Sequence, residues 1–167
     1  MEAGACKHLV KLLSAAKIEV QLYALTAVAN LALQDDGQEK LKEEGAVTAV
    51  VLHASSPNSG MQCHAARALA NLAFCCESNE VGIVKAGGIP PLLKLIDAPE
   101  LHTAQEAIAA LANLARNPSN QRQMVECGAL VPLCAAMRAA RCDPELLRQG
   151  ARCIANVSSP VRVCVCA

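Results

Sequence analysis

Apolar residues recur at offsets of three and four in four separated stretches: Leu9, Val10, Leu12 and Leu13; Val47, Val50 and Val51; Ile89, Leu92, Leu93 and Ile96; Leu130, Leu133 and Met137. That spacing puts each set on one face of a helix. A longer helix is predicted after each stretch, its apolar face marked by Leu25, Val28 and Leu31 in the first copy and by Ile108, Leu111 and Leu114 in the third. Pro57, Pro99 and Pro144 are expected to open three of these longer helices, since the first helical position needs no N–H donor. Asp143 is the expected N-cap before Pro144. A short third helix is predicted between copies, as from Pro118 to Glu126.

Two short blocks keep the same period. Ala29-Asn30-Leu31-Ala32, Ala70-Asn71-Leu72-Ala73, Ala112-Asn113-Leu114-Ala115 and Ala155-Asn156-Val157-Ser158 place Asn at spacings of 41, 42 and 43. Gly4-Ala5, Gly45-Ala46, Gly87-Gly88 and Gly128-Ala129 follow at 41, 42 and 41. Glycine before each middle helix allows a sharp turn with positive φ. Two independent markers in one period define a helical repeat.

Composition agrees with stacked helices. Of 167 residues, 53% are hydrophobic, yet there is one Tyr (Tyr23), one Phe (Phe74) and no Trp. Ala, Leu and Val must fill the core, and small side chains let helices approach closely. Basic and acidic residues balance at 15 each, which argues against a general nucleic-acid surface. Residues 1–100 carry 8 basic and 11 acidic side chains; residues 101–167 carry 7 arginines and 4 acids, a basic end suited to acidic partners. The ten cysteines come with no signal-peptide pattern and no apolar run of the roughly 18 residues that span a bilayer, so they read as reduced thiols of the cytosol or nucleus.

Three helices per unit, the glycine turn and the Asn block resemble the armadillo family, most closely in Gln105-Glu106-Ala107-Ile108-Ala109-Ala110-Leu111-Ala112-Asn113-Leu114-Ala115, between Gly87-Gly88-Ile89-Pro90-Pro91-Leu92 and Val125-Glu126-Cys127-Gly128-Ala129. HEAT repeats have two helices and lack this pairing. The resemblance implies an all-α, right-handed solenoid over residues 1–159, in approximate units 1–43, 44–86, 87–127 and 128–159, with an irregular tail at 160–167. The array is expected to open at the middle helix of its first unit and to close after the last helix of its fourth, as a piece of a longer array would. Ends without polar caps would leave Leu9, Leu12, Ile154 and Val157 partly exposed and favour self-association.

In armadillo proteins the third helix lines a concave groove, and its Asn holds the backbone of an extended peptide. The resemblance carries that role to Asn30, Asn71, Asn113 and Asn156. The chemistry suits it, because a carboxamide offers a donor and an acceptor together. An Asn near a helix end also serves as a cap or a bond to a neighbouring loop, and both readings stand here. Four residues before each Asn lie Thr26, Arg67, Ala109 and Arg152, the expected specificity positions, with His64, Glu106, Arg148 and Gln149 on the groove rim. Importin-α-type grooves carry Trp at the position four before the Asn and clamp basic signals; this chain has none. Arg67 and Arg152 read either as a solvated face or as receptors for carboxylate or phosphate.

The expected function is a protein-interaction scaffold that holds an extended, acidic or phosphorylated segment of a protein partner. No catalytic residues, metal site or cofactor are expected. Cys63-His64 and Cys75-Cys76 lack zinc spacings, Gly87-Gly88 lacks a phosphate-loop ending, and His8, His53 and His102 fall at unrelated repeat positions. Asn156-Val157-Ser158 matches a glycosylation acceptor, which carries no weight in a cytosolic helix. Cys164 stands fourth from the end in Cys164-Val165-Cys166-Ala167, the form of a prenylation signal. The alternative function is thus a lipid-anchored trafficking or signalling adaptor that uses the same groove, membrane-bound only if Cys164 is prenylated.

Overall fold

The computed structural model describes residues 4–139 and 143–158. Eleven helices occur among them: α1 (Ala5–Leu12), α2 (Ile18–Leu31), α3 (Asp35–Glu43), α4 (Ala46–Ala54), α5 (Ser59–Leu72), α6 (Glu77–Lys85), α7 (Ile89–Leu95), α8 (Leu101–Leu114), α9 (Pro118–Glu126), α10 (Leu130–Ala139) and α11 (Pro144–Ser158). They fall into a short–middle–long order, so that α3–α5, α6–α8 and α9–α11 are complete units and α1–α2 supply a middle and a long helix. The long helices α2, α5, α8 and α11 stack in sequence order, each chiefly against the next, and form one continuous wall of a right-handed solenoid.

Small residues set the spacing of that wall. Ala24, Ala29, Ala65, Ala66, Ala68, Ala107, Ala110 and Ala112 are buried between the long helices, with Leu25, Leu69, Ile108 and Leu111 filling the interior. Burying a leucine-sized side chain stabilises by about 1.5–3 kcal/mol, so the fold rests on this stripe. Within the units the predicted glycine turn joins the short helix to the middle one: Gly45, Gly87 and Gly128 take φ of 77°, 81° and 73°. After α6, Gly87 N–H bonds to the Val84 carbonyl at 3.0 Å and Gly88 N–H to the Ile83 carbonyl at 2.9 Å, closing the helix end in a Schellman turn. Gly4 differs, with φ of −97°; no described helix precedes it to be closed.

Helix starts correct part of the sequence reading. Pro144 and Pro118 do open their helices. Pro57 and Pro99 lie two residues before α5 and α8, in the turn, and Asn58 caps α5 by accepting from Met61 N–H at 3.0 Å. Asp143 caps α11, accepting from Leu146 N–H at 2.6 Å. At the ends of the array Leu12 is exposed and Leu9 and Ile154 are half-buried, but Val157 is buried against the core, contrary to expectation. The tail expected at 160–167, including Cys164, lies outside the described residues.

Candidate functional site

The long helices α2, α5 and α8 end in a tightened turn, and that turn explains where the Asn side chains go. At the end of α5, Phe74 N–H bonds to the Asn71 carbonyl at 3.1 Å and Ala73 N–H to the Leu69 carbonyl at 3.0 Å, so the Ala70 carbonyl between them is passed over. At the end of α2, Leu33 N–H takes the Asn30 carbonyl and Ala32 N–H the Val28 carbonyl, and the Ala29 carbonyl is passed over likewise. A helix end leaves such carbonyls without intrahelical donors. The next unit supplies them. Asn71 Nδ2 donates to the Ala29 oxygen at 2.8 Å and Asn113 Nδ2 to the Ala70 oxygen at 2.9 Å.

The four Asn are therefore not equivalent. Asn30 is exposed and makes no side-chain bond among the described residues. Asn71 has its nitrogen occupied and its oxygen without a partner among them. Asn113 is buried and closed at both ends, because Arg152 Nη2 donates to its oxygen at 2.8 Å. Asn156 is half-buried and lines neither hollow described below. At Asn71 and Asn113 one of the two N–H groups of the carboxamide completes the preceding helix, so these rungs carry a structural bond that Asn30 lacks.

A second set of carboxamides does similar work and was not picked out from the sequence. Gln38 Nε2 donates to the carbonyls of Ala32, Asn71 and Phe74 at 3.1, 2.9 and 3.0 Å. Asn79 Nδ2 reaches the Leu72 oxygen at 3.0 Å and Asn120 Nδ2 the Leu114 oxygen at 3.1 Å. All three are buried on the short first helices. Their spacing of 41 and 41 was the available signal.

The specificity positions meet their neighbours across the wall. Thr26 Oγ1 lies 3.3 Å from His64 Nδ1, beside a hollow of about 230 Å³ that Tyr23 also lines. Burial first, then the charges of Arg67 and His102, push the His64 imidazole below its ordinary value. Arg67 Nε donates to Glu106 Oε1 at 3.0 Å, His102 Nε2 is 3.5 Å from the same oxygen, and Arg67 Nη2 also meets His102 Nε2. Arg67 is thus already paired, which corrects the reading of it as an open anion receptor, and His102, though at an unrelated repeat position, joins the same contact. His53 is also engaged, with Nε2 2.8 Å from the Leu13 carbonyl oxygen.

Further along, α5, α8 and α11 enclose a hollow of about 390 Å³ lined by Asn71, Glu106, Ala109, Asn113, Arg148, Gln149 and Arg152, with exposed Leu33 and Phe74 beside it. Ala109, small and half-buried, forms part of its lining. Gln149 is buried, not on the rim; its Nε2 donates to Glu145 Oε1 at 2.7 Å and its Oε1 has no partner among the described residues. Arg148 forms a double bond pair with Glu145 at 3.0 and 2.7 Å. Arg152, half-buried, has no carboxylate partner among the described residues, and its Nε is buried without an acceptor. Burial, then the charges of Arg148 and Arg116, lower its pKa. Among the described residues no three His, Cys, Asp or Glu side chains gather as a metal site would require.

Comparison with known proteins places this geometry. The chain is 33% identical over 166 residues to Vacuolar protein 8 of Yarrowia lipolytica, covering 96% of this chain and 28% of that protein. It is 30% identical over 166 residues to Vacuolar protein 8 of Schizosaccharomyces pombe, covering 96% of this chain and 29% of that one. The chain thus spans less than a third of these relatives. A designed armadillo repeat protein in complex with the peptide (KR)4 superposes with a TM-score of 0.85 at 33% identity, covering 93% of this chain and 65% of the designed one. The sequence profile of the Armadillo/beta-catenin-like repeat matches residues 1–33, 34–74 and 83–116, more than half the chain. With three profile matches, the stacked three-helix units and the Asn-to-carbonyl bonds between them, this chain belongs to the armadillo/beta-catenin-like repeat family.

Proposed function

We propose that the chain is a protein-interaction scaffold that holds an extended segment of a partner along the wall formed by α2, α5, α8 and α11. The observation that carries this reading is the hollow of about 390 Å³ shared by three successive long helices, with apolar Phe74 and Leu33 exposed at its side. A linear segment crosses from helix to helix in such a hollow, whereas a compact ligand would need a deeper enclosure. Peptide capture by a designed relative of the same fold supports it. The free oxygen of Asn71 and the carboxamide of Asn30 would take main-chain groups of the segment, and exposed apolar side chains would take its apolar residues. The segment is acidic or phosphorylated in this reading, because the hollow carries Arg148 and Arg152. The setting is the cytoplasm or nucleus: no described helix is long and apolar enough to cross a membrane, and the seven described cysteines are all unpaired.

The test is a display selection of random linear peptides against the chain, counter-screened against Ala109→Gln. That change fills the groove wall while leaving the Asn71 and Asn113 bonds to the preceding helices in place. Peptides that share a motif and lose binding to the folded Ala109→Gln protein support the groove. Selected peptides that bind both proteins equally place the interaction on another surface.

A further inference from the structure

The wall carries two arginines at the same repeat position, Arg67 and Arg152, and they are in opposite states. Arg67 is neutralised by Glu106 and touched by His102, in a contact that bridges α5 and α8. Arg152 has no carboxylate within reach among the described residues. The nearest acid of its own helix, Glu145, is held by Arg148 and Gln149. The acid that lines the hollow, Glu106, is held by Arg67. Arg116, exposed at the end of α8, turns to Cys75, donating from Nη1 to Sγ at 3.3 Å. Arg152 is thereby left as a half-buried cation, fixed at one edge by the Asn113 oxygen and exposed to the repulsion of Arg148 and Arg116, which outweighs the weaker attraction of Glu145. A cation withdrawn from water without a counter-charge is costly, and an anion brought to it removes the cost.

From this arrangement we infer that the Arg152 guanidinium is, among the described residues, the open anion subsite of the groove and receives one carboxylate or phosphate oxygen group of the bound segment. The inference rests on the groove reading above and adds to it the position of the charge. Asn113 aims the guanidinium: its oxygen fixes Nη2, and its own nitrogen is fixed to the Ala70 carbonyl, so the fork is presented from a rigid support. Buried Gln149 beside it, with an oxygen that has no partner, offers an acceptor for a donor of the segment once the side chains adjust to the ligand. Phe74 and Leu33 line the same hollow and accept an apolar side chain. Long helices packed at about 8–10 Å place Phe74 and Arg152 two helix spacings apart, and an extended chain advances about 3.3 Å per residue. The apolar and the anionic residue of the segment should therefore stand about five to six residues apart. The Arg67 position contributes no second anion site, because a ligand carboxylate there would have to displace Glu106.

The experiment uses the peptides selected against the whole chain, synthesised with a fluorescent label and titrated by anisotropy. Each is made with its acidic residue intact, replaced by Gln, and replaced by phosphoserine. They are titrated into wild type, Ala109→Gln, Arg152→Gln and Arg67→Gln, each confirmed as helical by circular dichroism. The expected result is an Asp or Glu at the stated distance from an apolar residue, with affinity falling on the order of tenfold in Arg152→Gln. The Gln peptide should lose a similar factor on wild type and nothing further on Arg152→Gln, the signature of a direct pair. Phosphoserine binding tighter than Glu would identify a phosphorylated segment as the source of the anion; Glu binding as well or better would identify an acidic one. An acidic preference that is missing, or that survives undiminished in Arg152→Gln, overturns the inference. Because the Gln peptide leaves the protein unaltered, this outcome does not depend on the variants folding. If nothing is selected, or binding is indifferent to Ala109→Gln, the groove reading fails and the subsite fails with it.

Discussion

Replacing Asn113 with Ala should destabilise the array more than the same change at Asn71, and that in turn more than at Asn30. The structure sets the order. At Asn113 the change removes a buried 2.9 Å bond to the Ala70 carbonyl and the 2.8 Å bond from Arg152. The Ala70 carbonyl has no helical donor to fall back on, because Phe74 N–H is bonded to Asn71. An acceptor stranded in this way costs about 1–3 kcal/mol, and the lost bond to a partly exposed charge adds about 1 kcal/mol. The sum, about 2–4 kcal/mol, corresponds to a fall in Tm of roughly 4–16 °C for a chain of this size. At Asn71 the single, half-buried bond to the Ala29 carbonyl is lost, about 1–2 kcal/mol. Exposed Asn30 makes no such bond, and its removal should stay within about 0.5 kcal/mol. Urea unfolding followed by circular dichroism measures the series. The transition of Asn113→Ala should also broaden, because nearest-neighbour contacts couple the units of a linear array and this bond joins α5 to α8. Asn113→Asp separates donor from acceptor: it retains an oxygen for Arg152 and sets another oxygen against the Ala70 carbonyl. It should be no more stable than Asn113→Ala. Equal stability of Asn113→Ala and wild type, or an equal loss at Asn30, would refute the role assigned to these bonds.

Burial pushes the Glu80 carboxyl above its ordinary value, with Glu77 adding to the rise and Arg116 and Asn117 opposing it. The folded state thus holds that proton to higher pH than the unfolded chain, and stability is lost as pH rises from about the ordinary carboxylate range. Glu80→Gln should be more stable than wild type at neutral pH, with the difference gone at pH near 4; urea midpoints at the two pH values decide it. His64 behaves in the opposite sense: its lowered pKa means that the unfolded chain binds the proton first, so stability is present above 6.5 and declines as pH falls through that value toward the folded pKa. His64→Gln should flatten this part of the acid profile in thermal melts. Brief iodoacetamide treatment with peptide mapping should modify exposed Cys75 and Cys127 and spare buried Cys6 and Cys153, the last with its thiol pushed up to about 12 by burial. Labelling of Cys153 at the rate of Cys75 would contradict the packing of α11.

Much of the architecture was legible because it is written in residues with narrow physical roles. Gly45, Gly87 and Gly128 recur where positive φ is needed, and the apolar offsets of α4, α7 and α10 mark the faces that become buried. The Asn period was equally plain, but its meaning was not. Whether an Asn faces a ligand or a carbonyl depends on which carbonyl the preceding helix has passed over, and that is decided by the last turn of another helix about 42 residues earlier in the chain. Gln38, Asn79 and Asn120 escaped notice for a related reason. They sit on short helices rich in charge, where a carboxamide looks solvated, and only the stacking of units buries them. Pro57 and Pro99 misled because a proline serves a turn as well as a helix start.

The two arginines show the limit most clearly. Arg67 and Arg152 occupy the same position of the repeat, and their own segments do not distinguish them. Their states are set one unit away, by Glu106 for Arg67 and by Asn113 for Arg152. The same Asn that closes the preceding helix also orients the unpaired cation, so the proposed subsite couples stability to recognition at Asn113. A groove assembled this way gains its selectivity from the rungs that are closed as much as from those left open. Pairing Arg67 internally removes one site at which an acidic segment could bind out of register. Arg67→Gln would free Glu106, placing an unpaired acid in the shared hollow, and should weaken acidic peptides by repulsion. Glu106→Gln should instead release Arg67 and allow a second, shifted register, visible in selection as acidic residues at two spacings from the apolar one. A single spacing in Glu106→Gln would mean that the Arg67 pair plays no part in setting the register.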